Sequence, residues 1–135
     1  MATSLKLQLR ADELSLQPGS RRIELRGRAR IELDTLKLQA DRVQVELDAK
    51  GRPVRLEARG TVRVRLGAGV GTAEELSVWI GSKGRQLELR RRARLSGVAE
   101  LPLALEGERI HLDLGSGRLT VSKASAQLGA RGSAR

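Results

Sequence analysis

The sequence predicts a single all-β domain with antiparallel strands, and three observations predict it. Apolar and polar residues alternate with a period of two through most of the chain, which is the pattern of a strand with one apolar face. Clusters of Gly, Pro and Ser separate these runs and indicate tight turns. The chain has 135 residues, enough for one domain of ordinary size. Short strands joined in this way form a meander, a jelly roll or a solenoid.

The alternating runs define the predicted strands in chain order. They cover residues 5–10, 23–25, 29–33, 36–40, 43–47, 54–58, 62–66, 87–89, 101–105, 110–112 and 119–121. The turn formers lie at 18–20, 50–53, 81–84 and 115–117. Residues 72–75 also have the spacing of a helix capping box, but alternation resumes at Leu76 and favours a strand. After the last run, we expect residues 129–135 to form a disordered tail.

The predicted interior is aliphatic, because Trp79 is the one aromatic residue of the chain and Phe, Tyr and Cys are absent. Aromatic rings usually supply the largest pieces of buried area, so this interior is either a thin filled core or an open apolar trough. Alternation places ten aliphatic side chains on one face. These are the candidate groove residues Ile31, Leu33, Leu38, Val43, Val45, Val62, Val64, Leu76, Val78 and Ile110.

The opposite face is cationic, and the chain has a formal net charge of +10. Such a surface favours anionic partners, including nucleic acid, acidic lipid and phosphorylated glycolipid. Four arginines are candidate rim cations for lipid phosphates or carboxylates, namely Arg28, Arg30, Arg63 and Arg65. Nucleic-acid binding is the alternative that the charge leaves open. A lone Trp79 argues against it, because sheets that bind single strands normally present several aromatic platforms.

A repeat of about thirty residues is visible when the predicted strands are compared. Small-acidic pairs begin four segments, namely Ala11-Asp12, Ala40-Asp41, Ala73-Glu74 and Gly107-Glu108. Gly27, Gly60 and Gly97 open the strands that precede three of these pairs. Repeats of paired strands bury their apolar faces by stacking and leave open strand edges at both ends. A purely structural β-solenoid scaffold with a filled core would show the same pattern.

The order of these elements resembles the lipopolysaccharide transport protein A family, also called the OstA-like family. The resemblance rests on the recurrent Ala-Asp pairs, the glycine strand openings, and residues 107–110 followed by 113–114 and 117–121. It predicts an OstA-like domain over residues 1–128. The family's fold is an antiparallel β-jelly roll, a slightly twisted stack of sheets with an open apolar groove. Glu74 in place of Asp, and Gly107 in place of Ala, depart from the pattern.

The resemblance also implies a function. It implies a non-catalytic, lipid-binding protein that holds the acyl chains of lipopolysaccharide, or of a related glycolipid, in its groove within a periplasmic bridge of Gram-negative outer-membrane biogenesis. Partners would be other β-jelly-roll proteins of the pathway, joined end to end by strand addition, and further copies of this chain. The expected joining strands are residues 5–9 and 119–121. Residues 1–9 contain no signal peptide, so we expect any export leader to lie outside this sequence.

The sequence does not predict an enzyme, a cofactor or a metal site. His111 is the single histidine, and with Asp113 it is expected to form an exposed polar strand face and not an acid-base pair. No nucleophile elbow or phosphate-binding loop is present. The sequence lacks the cysteines and clustered carboxylates that a metal site would need. Trp79 breaks the apolar parity and is expected to be a partly buried edge residue at the end of the sheet.

Overall fold

The computed structural model describes residues 7–81, 84–97 and 103–128, and their regular structure consists of ten β-strands. The strands are β1 Leu7–Arg10, β2 Glu13–Gln17, β3 Arg22–Leu33, β4 Leu36–Leu47, β5 Pro53–Leu66, β6 Gly69–Gly81, β7 Gly84–Ser96, β8 Leu103–Asp113, β9 Leu119–Ser122 and β10 Ser125–Leu128. The predicted all-β class is therefore confirmed. Residues 72–75 lie inside β6, as the alternation favoured. The predicted tail, 129–135, lies outside the described residues.

All ten strands belong to one antiparallel sheet. Its order is β1-β3-β4-β5-β6-β7-β8-β10, while β2 also pairs with β3 and β9 also pairs with β8. Each strand from β3 to β8 pairs with the next along the chain, as expected for runs that tight turns connect. Each end of the sheet therefore carries two short strands on one long strand. The short strands at one end are β1 and β2, and those at the other are β9 and β10.

The long strands bend near their middle, and the bends fold the sheet into two layers. Each pairing from β3·β4 to β7·β8 contains a register shift at this point. The first layer contains β2, β9 and residues 22–26, 42–47, 53–59, 75–81, 84–90 and 109–113. The second layer contains β1, β10 and residues 29–33, 36–40, 62–66, 69–73, 93–96 and 103–107. This jelly-roll arrangement agrees with the predicted fold.

Pairs of residues with positive φ mark the bends of the odd-numbered long strands. In β3 they are Gly27 and Arg28, with φ of 78° and 48°, and in β5 they are Gly60 and Thr61, with φ of 83° and 47°. The third pair, in β7, is Arg91 and Arg92, with φ of 64° and 54°. Gly97 corresponds to Gly27 and Gly60 in the sequence repeat, but it follows the end of β7 and does not lie at a bend. An extra residue in a strand bends it and increases its twist.

The core lies between the layers and is built from Leu, Val, Ile and Ala side chains. Gly71 shows how closely the layers approach. A β-carbon at Gly71 would lie 2.9 Å from Leu89 Cδ1 on the facing layer and 3.1 Å from Val64 Cγ1 on its own layer. A side chain at this position would displace the Leu89 side chain. The hairpin turns of both layers lie on the side of the molecule opposite the bends. We call this side the mouth.

Candidate functional site

The ten predicted groove residues lie together on the inner side of the layers. They come from five strands, β3, β4, β5, β6 and β8, and each is at most 2% exposed. Leu38 is the direct cross-strand neighbour of both Ile31 and Val64. Val43 and Val45 likewise pair with residues of β3 on one side and of β5 on the other. The side chains pack against one another, so the middle of the interior is filled in this structure. A ligand there would have to part the layers.

The interior is more open at the β2 end of the sheet. Leu14 and Leu16 pair with Leu25 and Ile23, so they point to the inner side of the sheet. Leu25 is completely buried, whereas Leu14 is 51% and Leu16 58% exposed. Two adjacent leucines on an edge strand are thus left uncovered beside the core. Exposed apolar side chains that lie together are candidate contact sites for a partner or an apolar ligand.

None of the four predicted rim cations points into the interior. Arg30, Arg63 and Arg65 are exposed on the outer side of the second layer, where none has a carboxylate within ion-pair distance among the described residues. Arg28 lies at the bend of β3, and its Nη2 is 2.8 Å from Asp12 Oδ1. The hydrogen bond from Arg28 to Asp12, with the attraction between their charges, raises the pKa of Arg28 above its ordinary value. These arginines therefore face solvent and not the interior.

A different cation, Arg85, lies at the mouth, and it was not among the predicted rim cations. Arg85 is the second residue of β7 and lies two positions before Leu87, so it shares the inner side with Leu87 and Leu89. Its guanidinium forms an ion pair with Asp34, which lies in the turn between β3 and β4. The signal in the sequence was the parity of Arg85 with the leucines that follow it. Its partner Asp34 lies 51 positions earlier in the chain, and this pairing could not be predicted from the sequence.

The outer side of the first layer carries an ion-pair network around a buried serine. Ser77 is completely buried, and its Oγ donates a hydrogen bond to Glu57 Oε2 at 2.7 Å. Arg90 Nη1 donates to Ser77 Oγ at 2.9 Å and to Glu88 Oε2 at 3.0 Å. Burial is the largest single effect and lowers the pKa of Arg90, but hydrogen bonds to Glu88 and Glu75, together with the negative charges of Glu57 and Glu88, raise that pKa overall. The network satisfies its own donors and acceptors, which suits a structural role.

His111 and Asp113 do not form an acid-base pair with each other in this network. His111 Nε2 is 3.2 Å from Gln86 Oε1, and its Nδ1 is 3.6 Å from Glu88 Oε1. Asp113 Oδ1 instead accepts a hydrogen bond from the backbone N–H of Gly115 at 2.9 Å. Each side chain is thus held by separate partners on the outer face. Within residues 7–81, 84–97 and 103–128, no cluster of His, Asp and Glu could hold a metal ion.

Trp79 lies half-buried near the end of β6, on the outer side of the first layer. Arg55 Cζ is 5.8 Å from the centroid of its indole ring, and the ring of His111 lies 6.3 Å from it. This agrees with a partly buried residue that covers the sheet end. The ring is covered in part by Arg55, so it is not a free stacking platform for a base. No helix long and apolar enough to cross a membrane occurs in the described part of the chain.

Comparisons with known proteins identify relatives of this architecture. The sequence model of the family described as "LptA/(LptD N-terminal domain) LPS transport protein" matches residues 8–118. The fold is similar to the crystal structure of LptH, the LptA homologous periplasmic component of the conserved lipopolysaccharide transport device from Pseudomonas aeruginosa. The TM-score is 0.81 at 12% sequence identity, over 93% of this chain and 96% of that chain. No curated protein sequence matches this chain.

Proposed function

Because this chain belongs to the LptA/LptD N-terminal domain family of lipopolysaccharide transport proteins, we propose that it holds the acyl chains of lipopolysaccharide, or of a related glycolipid, between its two layers. It does so without catalysis, as a periplasmic segment of a transport bridge. One structural observation supports the proposal in addition to the family assignment. A continuous aliphatic interior reaches from the buried core to the exposed Leu14 and Leu16 at the β2 end.

The chemistry of the interior suits flexible hydrocarbon chains. The ten candidate groove residues, Ile31, Leu33, Leu38, Val43, Val45, Val62, Val64, Leu76, Val78 and Ile110, are all aliphatic. Burying one methylene group contributes ~0.8 kcal/mol, so eight methylenes contribute roughly 6 kcal/mol before the costs of ordering the lipid and parting the layers. That is enough for binding without a specific polar contact. Weakly directional walls of this kind also tolerate acyl chains of different lengths.

The arginines of the outer faces have a different role in this proposal. Arg30, Arg63 and Arg65 are exposed on the second layer, so they attract an anionic glycolipid from a distance and do not hold its head group. Arg42 and Arg59, direct neighbours on β4 and β5, line a surface depression of about 290 Å³ on the first layer. These positive faces also support the alternative partner, nucleic acid.

The open sheet ends support assembly by strand addition. The expected joining strands were residues 5–9 and 119–121. Of these, Leu5 and Lys6 lie outside the described residues, while β1 and β9 are short strands at opposite ends of the sheet. The outer edges of short terminal strands offer free N–H and C=O groups to a partner strand. The exposed Leu14 and Leu16 beside β1 would be covered by the same contact. We propose end-to-end stacking with related jelly-roll proteins or with further copies of this chain.

Native mass spectrometry of the purified protein tests the proposal. The protein is mixed with lipopolysaccharide or with single-stranded DNA, and each mixture is measured at low and at raised salt. We expect a lipopolysaccharide adduct that survives raised salt, because burial of apolar surface is not screened. Binding of DNA alone, lost as salt rises, would replace the transport proposal by nucleic-acid binding. Binding of neither ligand would favour the structural scaffold, with which the filled core also agrees.

A further inference from the structure

Arg85 holds an unusual position in this fold. The register of its strand places Arg85 on the inner side of the sheet. Among the described strands no other charged residue lies on that side, apart from residues at the bends. Its side chain is 20% exposed, and its cross-strand neighbour is the apolar Ile80. A charge beside an apolar interior is costly unless a partner of opposite charge compensates it. Its position therefore needs an explanation.

Asp34 supplies the partner charge from the facing layer. It lies between Leu33 and Leu36 in a hairpin turn of the second layer, whereas Arg85 belongs to the first layer. The Arg85 guanidinium donates a hydrogen bond to Asp34 Oδ2. Every other ion pair between described residues lies on one outer face, at a bend or within a turn. The Arg85–Asp34 pair thus joins the two layers across the mouth.

We propose that the Arg85–Asp34 ion pair closes the mouth of the interior, and that Arg85 exchanges Asp34 for a phosphate group of the lipid whose acyl chains enter there. The inference rests on the proposed function and names the residue that would recognise the head group. When the layers part, Asp34 moves away with its turn and leaves the Arg85 guanidinium without an anion. A lipid phosphate beside the acyl chains restores the pairing, and its oxygens match the planar guanidinium fork.

The exchange gives the site selectivity for an amphipathic anion. A neutral lipid would bury hydrocarbon but leave Arg85 unpaired, so it would lose the compensation that Asp34 had provided. A free phosphate would reach Arg85 only in competition with Asp34 and without the gain from apolar burial. The arrangement therefore favours a ligand that carries both groups.

Two single variants separate the roles of the pair. Arg85→Gln should weaken binding of phosphorylated lipid A at least about tenfold, because a charge-assisted hydrogen bond is lost. It should leave binding of dephosphorylated lipid A unchanged or tighter, because the closing contact is also lost. Asp34→Asn should tighten binding of phosphorylated lipid A about threefold or more, because the closed state loses its ion pair. Glu32→Gln, which removes an outward ion pair to Lys37 on the same hairpin, is the matched control and should bind as wild type.

A cross-link tests closure directly, since the chain contains no cysteine. An Asp34→Cys/Arg85→Cys variant is treated with a bifunctional methanethiosulfonate, which links the layers through disulfides that a reductant cleaves. We expect the linked protein to lose lipid binding and to regain it on reduction. A Glu32→Cys/Lys37→Cys variant, linked across one outer face, should bind lipid throughout. Circular dichroism checks that all variants are folded.

The outcomes distinguish this inference from the proposed function. If wild-type protein binds neither form of lipid A, the proposed function itself fails. If wild type binds, but Arg85→Gln weakens both forms equally and the linked Asp34→Cys/Arg85→Cys protein still binds, the inference is overturned while the proposed function stands. The inference is supported if Arg85→Gln loses binding of phosphorylated lipid A but keeps binding of the dephosphorylated form, and if cross-linking abolishes lipid binding reversibly.

Discussion

The Asp12 carboxylate lies directly against the α-carbon of Gly27, in the place that a side chain at Gly27 would occupy. A β-carbon at Gly27 would come within 2.6 Å of Asp12 Oδ2 and 3.0 Å of Asp12 Cβ. The backbone N–H of Asp12 also donates a hydrogen bond to the Gly27 carbonyl oxygen at 2.8 Å. Asp41 lies in the same way against Gly60 in the bend of β5. The Ala-Asp pairs of the sequence repeat are therefore the residues that cover the glycine bends.

Gly27→Ala tests this contact, with Gly51→Ala as its control. Both glycines have a φ of 78°, but nothing lies within 4 Å of a β-carbon at Gly51. The left-handed backbone alone costs an alanine about 1–2 kcal/mol. We expect Gly27→Ala to lower the free energy of unfolding by at least about 1 kcal/mol more than Gly51→Ala, because it also displaces Asp12. Equal losses in urea denaturation would show that the contact contributes nothing.

The buried hydroxyl of Ser77 gives a second prediction. Ser77→Ala removes the donor to Glu57 and the acceptor for Arg90 in the outer network of the first layer. Hydrogen bonds to charged groups contribute about 1.5–3 kcal/mol each, and the remaining ion pairs compensate in part, so we expect a loss of about 1–3 kcal/mol. Ser96→Ala, at an exposed position of β7, should change the unfolding free energy by less than about 0.5 kcal/mol. Similar effects of both variants would contradict the structural role of the network.

The β4–β5 turn gives a prediction for pH. The Asp48 carboxylate accepts hydrogen bonds from the backbone N–H of Arg52 and of Lys50. The bond from Arg52 is the largest cause that lowers the pKa of Asp48 below its ordinary value, against a smaller opposing effect of burial. A carboxylate with a lowered pKa stabilises the folded state above its unfolded pKa of about 3.9 and loses this effect as pH falls through the lower folded value.

Asp48→Asn should therefore be less stable than wild type at neutral pH. The difference should stay constant down to about pH 5 and shrink below about pH 4, as the carboxylate is protonated first in the unfolded chain and then, at lower pH, in the folded protein. Because the largest cause is a short hydrogen bond and not a distant charge, added salt should leave most of the difference. Chemical denaturation between pH 3 and pH 7 at two salt concentrations measures it. A difference that does not change with pH would refute the assignment.

The uncovered leucines of β2 give a prediction for assembly. If the β2 end joins another copy, Leu14→Glu together with Leu16→Glu should abolish the concentration-dependent association of the protein, because two carboxylates would be buried in the contact. Ser15→Glu places one carboxylate on the outer face of the same strand and should leave association intact. Sedimentation velocity over a range of concentrations compares the variants. Association that persists in the double variant would place the joining surface elsewhere.

Much of this fold was predictable because it follows from local alternation. Ile31 and Leu33 share a side of β3 by parity alone, and Gly or Pro marks the turns at 18–20 and 50–53. The turn between β3 and β4, which is Asp34-Thr35, contains neither residue type. The folding of the sheet into two layers was harder to predict from the sequence, because no single residue type marks a bend. It uses glycine at Gly27 and Gly60 but two arginines, Arg91 and Arg92, in β7.

The features that decide the site depend on contacts between distant residues. Whether the interior is filled depends on the spacing between the layers, which Gly71 and Leu89 reveal only when they face each other. The parity of Arg85 was visible in the sequence, but its meaning required Asp34 on the opposite layer. Outward parity places Arg30, Arg63 and Arg65 on the outer face of the second layer and does not direct their side chains into the mouth.

Contacts between lipid acyl chains and the buried isoleucines would show directly whether the lipid lies between the two layers. The chain contains four isoleucines, and Ile31 and Ile110 are completely buried between the layers. Their δ1-methyl groups are labelled in otherwise deuterated wild-type protein, and lipopolysaccharide is added in deuterated detergent. We expect intermolecular nuclear Overhauser effects between acyl-chain protons and the methyl groups of Ile31 and Ile110. Bound lipopolysaccharide without such effects at either methyl group would contradict the claim that acyl chains lie between the layers.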